Sequence, residues 1–347
     1  MARIGQLSLE FRHIAHAYGS VRALEAISFA APRGKITCLL GASGCGKSTL
    51  LNLTAGLLPV QQGSIELGDA LLADTHTNPP PEQRPVGLVF QDGALFPHMS
   101  VAKNVGFGLG KTPHRDDEIA ALLALVGLKG LGDRYPHELS GGQQQRAALA
   151  RAMAPKPEVL LLDEPFASVD IVLRRKLRRE CRQILREQGT TAILVTHDPD
   201  EALDIADQIA VMEAGRIVQI GTPDELYKEP ATPSVGAMFG GAQIVPATVQ
   251  EGALVTAFGT WPQSSLSNDL PEEERLELLV HAKELELVEA DTGFAVRDVH
   301  PLGDVARVLF DDGAGQELAV ETAKAVEPSL RYTIQPTVGS ARAFEAK

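Results

Sequence analysis

The sequence predicts an α/β chain in which a layered domain around a parallel sheet is followed by a small β-rich domain. Three observations carry that prediction. Four short apolar runs, Lys35 to Leu40, Val86 to Phe90, Val159 to Leu162 and Ala192 to Thr196, lack the alternation of a half-solvated strand. They read as parallel strands covered on both faces. Helical patterns separate them, with Leu173, Leu177, Cys181, Ile184 and Leu185 forming one apolar stripe between arginines. Beyond Gly240-Gly241 come short alternating runs, Ala253 to Thr256, Phe294 to Val296 and Val305 to Phe310, the last followed by the turn residues Asp311-Asp312-Gly313.

These runs divide the chain into residues 1–239 and 240–347. Within the first part, residues 92–158 read as mostly helical, clearest at Ile119 to Val126, and interrupt the strands as a helical subdomain.

With 347 residues, 44% hydrophobic and 22% charged, the chain has ample material for globular cores. No apolar run approaches the ~18 residues of a membrane span. The start, Met1-Ala2-Arg3-Ile4-Gly5-Gln6, has no apolar stretch, so no secretory leader is expected. A role at a membrane would require docking onto another chain. Cys38, Cys45 and Cys181 show neither pair nor zinc-ligand spacing, and free thiols are expected. The net charge is −13, and residues 241–347 hold 18 acidic against 8 basic side chains. Such a chain repels a phosphate backbone, which argues against nucleic acid as the main partner. The arginines Arg174, Arg175, Arg178, Arg179, Arg182 and Arg186 are expected to form a solvated helix face.

Gly41-Ala42-Ser43-Gly44-Cys45-Gly46-Lys47-Ser48-Thr49 has the spacing Gly-x4-Gly-Lys-[Ser/Thr], between a strand and the helical run Leu50 to Leu57. The glycines allow backbone N–H groups to close around phosphate oxygens, and the helix start adds the positive end of its dipole. Lys47 is a point charge for the β- and γ-phosphates, and Ser48 offers a hydroxyl to Mg²⁺. Cys45 reads as a small residue fitting a crowded loop.

The strand Val159 to Leu162 ends in Asp163-Glu164, where ligands of parallel sheets sit. Asp163 would hold Mg²⁺ through water, and Glu164 would act as general base on the attacking water. In Leu139-Ser140-Gly141-Gly142-Gln143-Gln144-Gln145-Arg146, Ser140 and Gly142 can form a second anion site at a helix start. One phosphate loop already holds a nucleotide, so a second cradle makes sense for a nucleotide bound mainly to another subunit.

With these residues in order, residues 7–240 resemble the ATP-binding-cassette (ABC) ATPases, a P-loop NTPase fold with a RecA-like core and a helical subdomain. The resemblance implies an ATPase using ATP and Mg²⁺. Gly41, Ser43, Gly44, Cys45, Gly46, Lys47, Ser48 and Thr49 would hold the nucleotide in one chain, with Ser140, Gly141, Gly142 and Gln143 supplied by the other. Tyr18 resembles the aromatic stacked on adenine. Gln91 resembles the glutamine that senses Mg²⁺ and the attacking water, and His197 the switch histidine at the γ-phosphate. Lys47, Gln91, Glu164 and His197 would then be catalytic, with Ser48, Gln91 and Asp163 at the metal. Asp170 is kept for inter-subunit contact, but Ala167-Ser168-Val169-Asp170 exchanges the small residues of the family's Ser-Ala-Leu-Asp.

The tail resembles the OB-like barrel regulatory domain of importer ATPases for sugars, sulfate, polyamines and ferric iron. Asp92 to His98, Arg134 to Ser140 and Gln145 to Arg151 look most like the ferric-iron importer subunit. Many relatives carry Arg-Pro-Glu in the tail where this chain has Val280-His281-Ala282-Lys283. The resemblance implies a head-to-tail homodimer, peripheral on the cytoplasmic face of the inner (plasma) membrane. It would act with transmembrane permease subunits and, indirectly, with a substrate-binding protein. The alternatives are another importer substrate (polyamine, sulfate or sugar) or a soluble ABC ATPase of nucleic-acid maintenance. The second typically carries coiled-coil or zinc insertions, and this chain has none.

Overall fold

A computed structural model of the protein describes residues 8–91, 93–110, 113–167, 169 and 171–346, with 171 and 172 described by backbone alone. The chain divides into two compact units, Met1–Glu225 and Leu226–Lys347.

The first unit begins with β1 (Leu9–Tyr18) and β2 (Val21–Ala31), then β3 (Ile36–Leu40) and α1 (Lys47–Ala55). There follow β4 (Gln62–Leu67), β5 (Ala70–Asp74), β6 (Val86–Val89), α2 (Val101–Val105), α3 (Arg115–Leu125) and α4 (Gly141–Met153). It continues through β7 (Val159–Asp163), α5 (Ile171–Glu187), β8 (Thr191–Thr196), α6 (Pro199–Ile205), β9 (Gln208–Glu213) and β10 (Arg216–Gly221). The strands form an antiparallel sheet ordered β2-β1-β4-β5 and a second sheet ordered β10-β9-β3-β8-β7-β6. In the second, β9, β3, β8, β7 and β6 run parallel, and β10 closes the edge antiparallel.

All four apolar runs are therefore adjacent parallel strands, and every residue of β3 and β8 is buried. Helix α1 lies in one core with both sheets. Leu50, Leu51 and Leu53 join Phe11, Ile14, Leu24 and Ile27 of the antiparallel sheet and Leu39, Leu161, Ile193 and Met212 of the parallel one. The antiparallel sheet was not visible in the sequence pattern. Register shifts in β1, between Phe11 and Ile14 and again near His16, break the alternation that would have marked it.

The interval 92–158 holds α2, α3 and α4, with turns and loops between them. Side chains secure those loops. Asn104, fully buried, accepts from Phe96 N and donates to the carbonyls of Phe96, Met99 and Ser100. Arg84 donates to the Leu53 and Thr54 carbonyls, where α1 ends and its last acceptors have no helical partner.

The apolar stripe of α5 is buried from Leu177 onward, with Leu173 half-buried, but its arginine face is only partly solvated. Arg175 and Arg179 are exposed. Arg178, with its side chain 4% exposed, pairs with Asp198, with Glu201 at 3.7 Å and with Asp204 at 3.5 Å. Arg182 donates to the Asp204 carbonyl, and Arg174 to those of Ala167 and Val169. The pattern of alternating charge could not tell water from a facing helix; α6, packed beside α5, supplies the carboxylates.

The division between the units falls within α7 (Pro223–Lys228), ahead of the expected boundary at residue 240. Helix α8 (Pro233–Ala237) belongs to the second unit because Gly236 lies directly on Leu279, leaving no space for a side chain. Strands β11 (Ala242–Gln250), β12 (Ala253–Thr256), β13 (Gly259–Pro262), β14 (Arg275–His281), β15 (Leu285–Pro301), β16 (Ala306–Asp311), β17 (Glu317–Thr322), β18 (Arg331–Pro336) and β19 (Arg342–Glu345) complete it. They make two antiparallel sheets, ordered β13-β12-β11-β14-β19 and β17-β16-β15-β18, that share one apolar core. Asp311 accepts from Gly313 N, forming the turn expected there. No described helix is long and apolar enough to cross a membrane.

Trp261, the only tryptophan, is fully buried in that second core and donates its indole N–H to the Ile334 carbonyl at 2.8 Å. Its fluorescence is therefore expected to report the unfolding of the C-terminal unit. Trp261→Phe should destabilise that unit by about 1–3 kcal/mol through loss of the indole donor and of buried volume. Urea titrations followed by far-ultraviolet circular dichroism in both proteins check this.

Candidate active site

The site is built where three parallel strands end. After β3 the chain turns sharply, and Gly44 and Gly46 take φ values of 84° and 106° that disfavour any residue with a Cβ. At Gly46 a Cβ would lie 2.5 Å from the Ala23 carbonyl oxygen, so the loop is pressed onto β2 by backbone alone. Cys45 is buried, as a small loop residue should be, while Ala42, Ser43 and Gly44 are exposed. Lys47 opens α1 and is itself buried; its Nζ donates to the Gly41 carbonyl at 2.7 Å and the Ala42 carbonyl at 2.9 Å. The ammonium is thus held against the loop, at the positive end of the helix, where an anion is favoured.

Ser48 and Asp163 come together: the Ser48 hydroxyl donates to Asp163 Oδ1 at 3.4 Å. Burial pushes the Asp163 carboxyl up, the neighbouring Glu164 adds to the rise, and the Ser48 bond and Lys47 oppose it. Glu164 follows with φ 42°, a left-handed conformation that costs a glutamate on the order of 1 kcal/mol. Its N–H donates to the Val195 carbonyl of β8, and its carboxylate meets His197 Nδ1 at 3.1 Å. The strained turn is what carries the carboxylate from the end of β7 to the residue after β8.

The loop bearing His197 is clamped on both sides. Thr196 Oγ1 donates to Glu201 Oε2 at 2.8 Å and accepts from Asp198 N at 3.0 Å. Asp198 also caps α6 by accepting from the N–H groups of Asp200 and Glu201. Behind it sits Arg178. Sequence reading missed this cluster because its carboxylates lie 20 or more residues from Arg178 and no motif links them.

Gln91 lies two residues beyond the Val89–Leu162 pair of β6 and β7, so the register places it level with Glu164. It is exposed. Tyr18 ends β1, half exposed, with its hydroxyl 3.5 Å from Thr49 Oγ1 at the start of α1. His16 packs edge-on against its ring.

Ser140 and Gln143 form a capping box at the start of α4: Ser140 Oγ accepts from Gln143 N, and Gln143 Oε1 accepts from Ser140 N. That leaves the Ser140 O–H and the N–H groups of Gly141 and Gly142 to meet an anion. Gly142 has a packing reason as well, since a Cβ there would lie 2.9 Å from Leu173 Cδ2 of α5. The fold thus gathers Lys47, Ser48, Asp163, Glu164 and His197 in one place, with Tyr18 and Gln91 at its rim, and carries Ser140 to Gln143 on a separate helix. Asp92, Ser168 and Asp170 lie outside the described residues.

One further residue links these parts. Arg151, on the same helix as Ser140, donates to the carbonyls of Gly93 and Ala94 and lies over the Phe96 ring. It ties α4 to the loop that follows Gln91, and only the contact itself reveals it.

Burial pushes the Glu201 carboxyl up to about 7, against the Thr196 and Arg178 interactions that lower it. An acid raised in the folded state contributes stability below its unfolded pKa that is lost as pH rises through the folded value. Stability should therefore fall by roughly 3 kcal/mol between about pH 4.5 and pH 7 through this group. In Glu201→Gln that component of the slope should vanish, as measured by urea unfolding from pH 5 to pH 8.

Residues 24–167 match the family model described as ABC transporter. The chain is 48% identical over 257 residues to the Fe(3+) ions import ATP-binding protein FbpC of Pseudomonas fluorescens, spanning 74% of this chain and 73% of that protein. It is 44% identical to the sulfate/thiosulfate import ATP-binding protein CysA 2 of Chromobacterium violaceum, over 77% of this chain and 72% of that one. The solved structure of cbiO1 from Clostridium perfringens, part of the ABC transporter complex cbiONQ, aligns with a TM-score of 0.60 and 30% identity over 67% of this chain and 96% of its own. The chain therefore belongs to the ABC transporter family, among its ATP-binding ATPase subunits.

Proposed function

We propose that this chain powers import by hydrolysing MgATP in a head-to-tail pair with a second copy of itself, coupled to separate membrane permease subunits. The observation that supports it best is the convergence of Lys47, the Ser48–Asp163 pair and the Glu164–His197 pair at the ends of β3, β7 and β8. Residues 41–49, with Tyr18 at the rim, bind the nucleotide of one protomer. Ser140, Gly141, Gly142 and Gln143 of the other close over its phosphates, and Asp170 serves the contact between protomers.

Ser48 and Asp163 would hold Mg²⁺, with Gln91 beside them. A hydroxyl and a carboxylate 3.4 Å apart suit an ion that keeps several waters and takes its remaining ligands from phosphate oxygens. The metal would neutralise charge on those oxygens as the terminal phosphoryl group departs. Lys47 anchors the phosphates. Glu164 accepts the proton of the attacking water, and His197, hydrogen-bonded to that carboxylate, fixes its direction. Closure of the second anion cradle excludes bulk water, and its release follows loss of the terminal phosphate.

The C-terminal unit is the regulatory domain, and the ATPase part ends within the helices that precede β11. The cargo is ferric iron, supported by relatives named for Fe(3+) import at 46–48% identity. Sulfate is the second reading, supported by relatives named for sulfate/thiosulfate import at 40–44% identity. The protein works peripherally at the cytoplasmic face of the inner membrane, with a substrate-binding protein acting through the permease.

Lys47→Ala should abolish nucleotide binding. Glu164→Gln should bind ATP, accumulate as a dimer in its presence and hydrolyse at least ~100-fold more slowly. Turnover assays with size-exclusion chromatography check both, and near-normal hydrolysis by Glu164→Gln would remove that residue from the base role. For the cargo, the subunit reconstituted with its permease should hydrolyse faster with a ferric-loaded binding protein than with a sulfate-loaded one. The reverse order would favour the second reading.

A further inference from the structure

His197 meets Glu164 from an open position. Its side chain is 55% exposed, and Nδ1 lies 3.1 Å from Glu164 Oε1. A ring with so little packing takes its direction from the backbone that carries it, and one buried hydroxyl sets that backbone. Thr196 closes β8 opposite Leu40, the last residue of β3, so His197 follows level with Gly41 of the phosphate loop. Thr196 is 1% exposed. Its Oγ1 accepts from Asp198 N at 3.0 Å, a bond that spans His197 and closes a turn around it. The same hydroxyl donates to Glu201 Oε2 at 2.8 Å. On the other side, Asp198 is held by Arg178 and by the N–H groups of Asp200 and Glu201. Both neighbours of His197 are therefore fixed to the start of α6, and Asp198 to α5 as well.

The arrangement is costly for stability. Glu201 is 4% exposed, its Oε1 has no hydrogen-bond partner among the described residues, and burial pushes its carboxyl up to about 7. Apolar residues at 196 and 201 would fill similar space without burying a carboxylate. Buried polar groups that a fold could do without are found where function needs a fixed geometry. Here the Thr196–Glu201 bond sits directly beneath the histidine that meets Glu164.

We propose that Thr196 and Glu201 are positioning residues for hydrolysis: through the Thr196 hydroxyl they hold His197 at the angle that keeps Nδ1 on the Glu164 carboxylate. They act on turnover and not on nucleotide binding, because Lys47 and Ser48 are secured by contacts of their own. The proposal rests on the reading that Glu164 and His197 act on the attacking water.

The test compares full-chain Thr196→Val, close in shape but without the hydroxyl, with Thr196→Ser, which keeps it. In steady-state ATPase assays Thr196→Val should lower kcat by about tenfold or more while KM for ATP changes less than about threefold, and Thr196→Ser should recover most of the rate. Adding Thr196→Val to His197→Ala should slow hydrolysis by less than about twofold beyond His197→Ala alone, since a residue that acts through His197 then has nothing left to position. Thr196→Val combined with Glu201→Leu replaces both partners by apolar groups, so its thermal midpoint by circular dichroism should lie at or above that of Thr196→Val, yet kcat should stay low. This pair keeps the test decisive if Thr196→Val alone folds poorly. Wild-type turnover in folded Thr196→Val, equal slowing with and without His197, or recovery of kcat along with stability in the pair would each overturn the proposal. Wild-type turnover in His197→Ala would instead remove His197 itself from catalysis, and Thr196 and Glu201 with it.

Discussion

A lysine ammonium is buried where the central sheet hands the chain to its first helix, and the rest of the N-terminal unit is arranged around that fact. Lys47 is held by two carbonyls of its own loop, which keeps the charge satisfied. The loop can approach β2 so closely only because Gly46 has no side chain. Helix α1 can then sit with apolar residues against both sheets, and its polar start emerges at the ends of β3, β7 and β8. Fold and chemistry meet at one helix terminus, where burial, dipole and charge act in the same direction.

Around that terminus, arginines do much of the joining. Arg84 satisfies the last carbonyls of α1, Arg151 holds the loop beyond Gln91, and Arg174 holds the turn beyond Glu164. Arg178 braces the loop that bears His197. A planar group with several donors can satisfy a string of irregular backbone acceptors that no regular element could reach. The loops most exposed to a ligand are thus also the ones tied back to helices α4 and α5. A shift of either helix would be felt at Gln91 and His197 directly.

The C-terminal unit follows a different logic. Its two sheets enclose one core around Trp261 and Phe310, with no buried charge network comparable to that behind His197 among its described residues. Its helices bring Tyr227 to stack on His281 of β14, and Nδ1 of that histidine meets Glu284.

Much of the active site was readable along the chain because its chemistry is contiguous. A phosphate loop needs its glycines and lysine within nine residues, and a parallel strand ends where its apolar run meets the first carboxylate. The same holds for the four central strands, which are largely covered on both faces and so read as mostly apolar runs without alternation. The antiparallel sheet was hidden by the irregular register of β1, and the arginine face of α5 was misjudged because periodicity reports polarity and not what lies opposite. Sequence alone determined which residues could grip a phosphate, activate water and cap a helix, since those abilities belong to residue type and local spacing. Only the tertiary structure decided that Glu164 reaches His197, that Arg178 braces the loop bearing that histidine and that Tyr227 stacks on His281. Each of these depends on a distance between segments far apart in the chain, and no local pattern encodes such a distance.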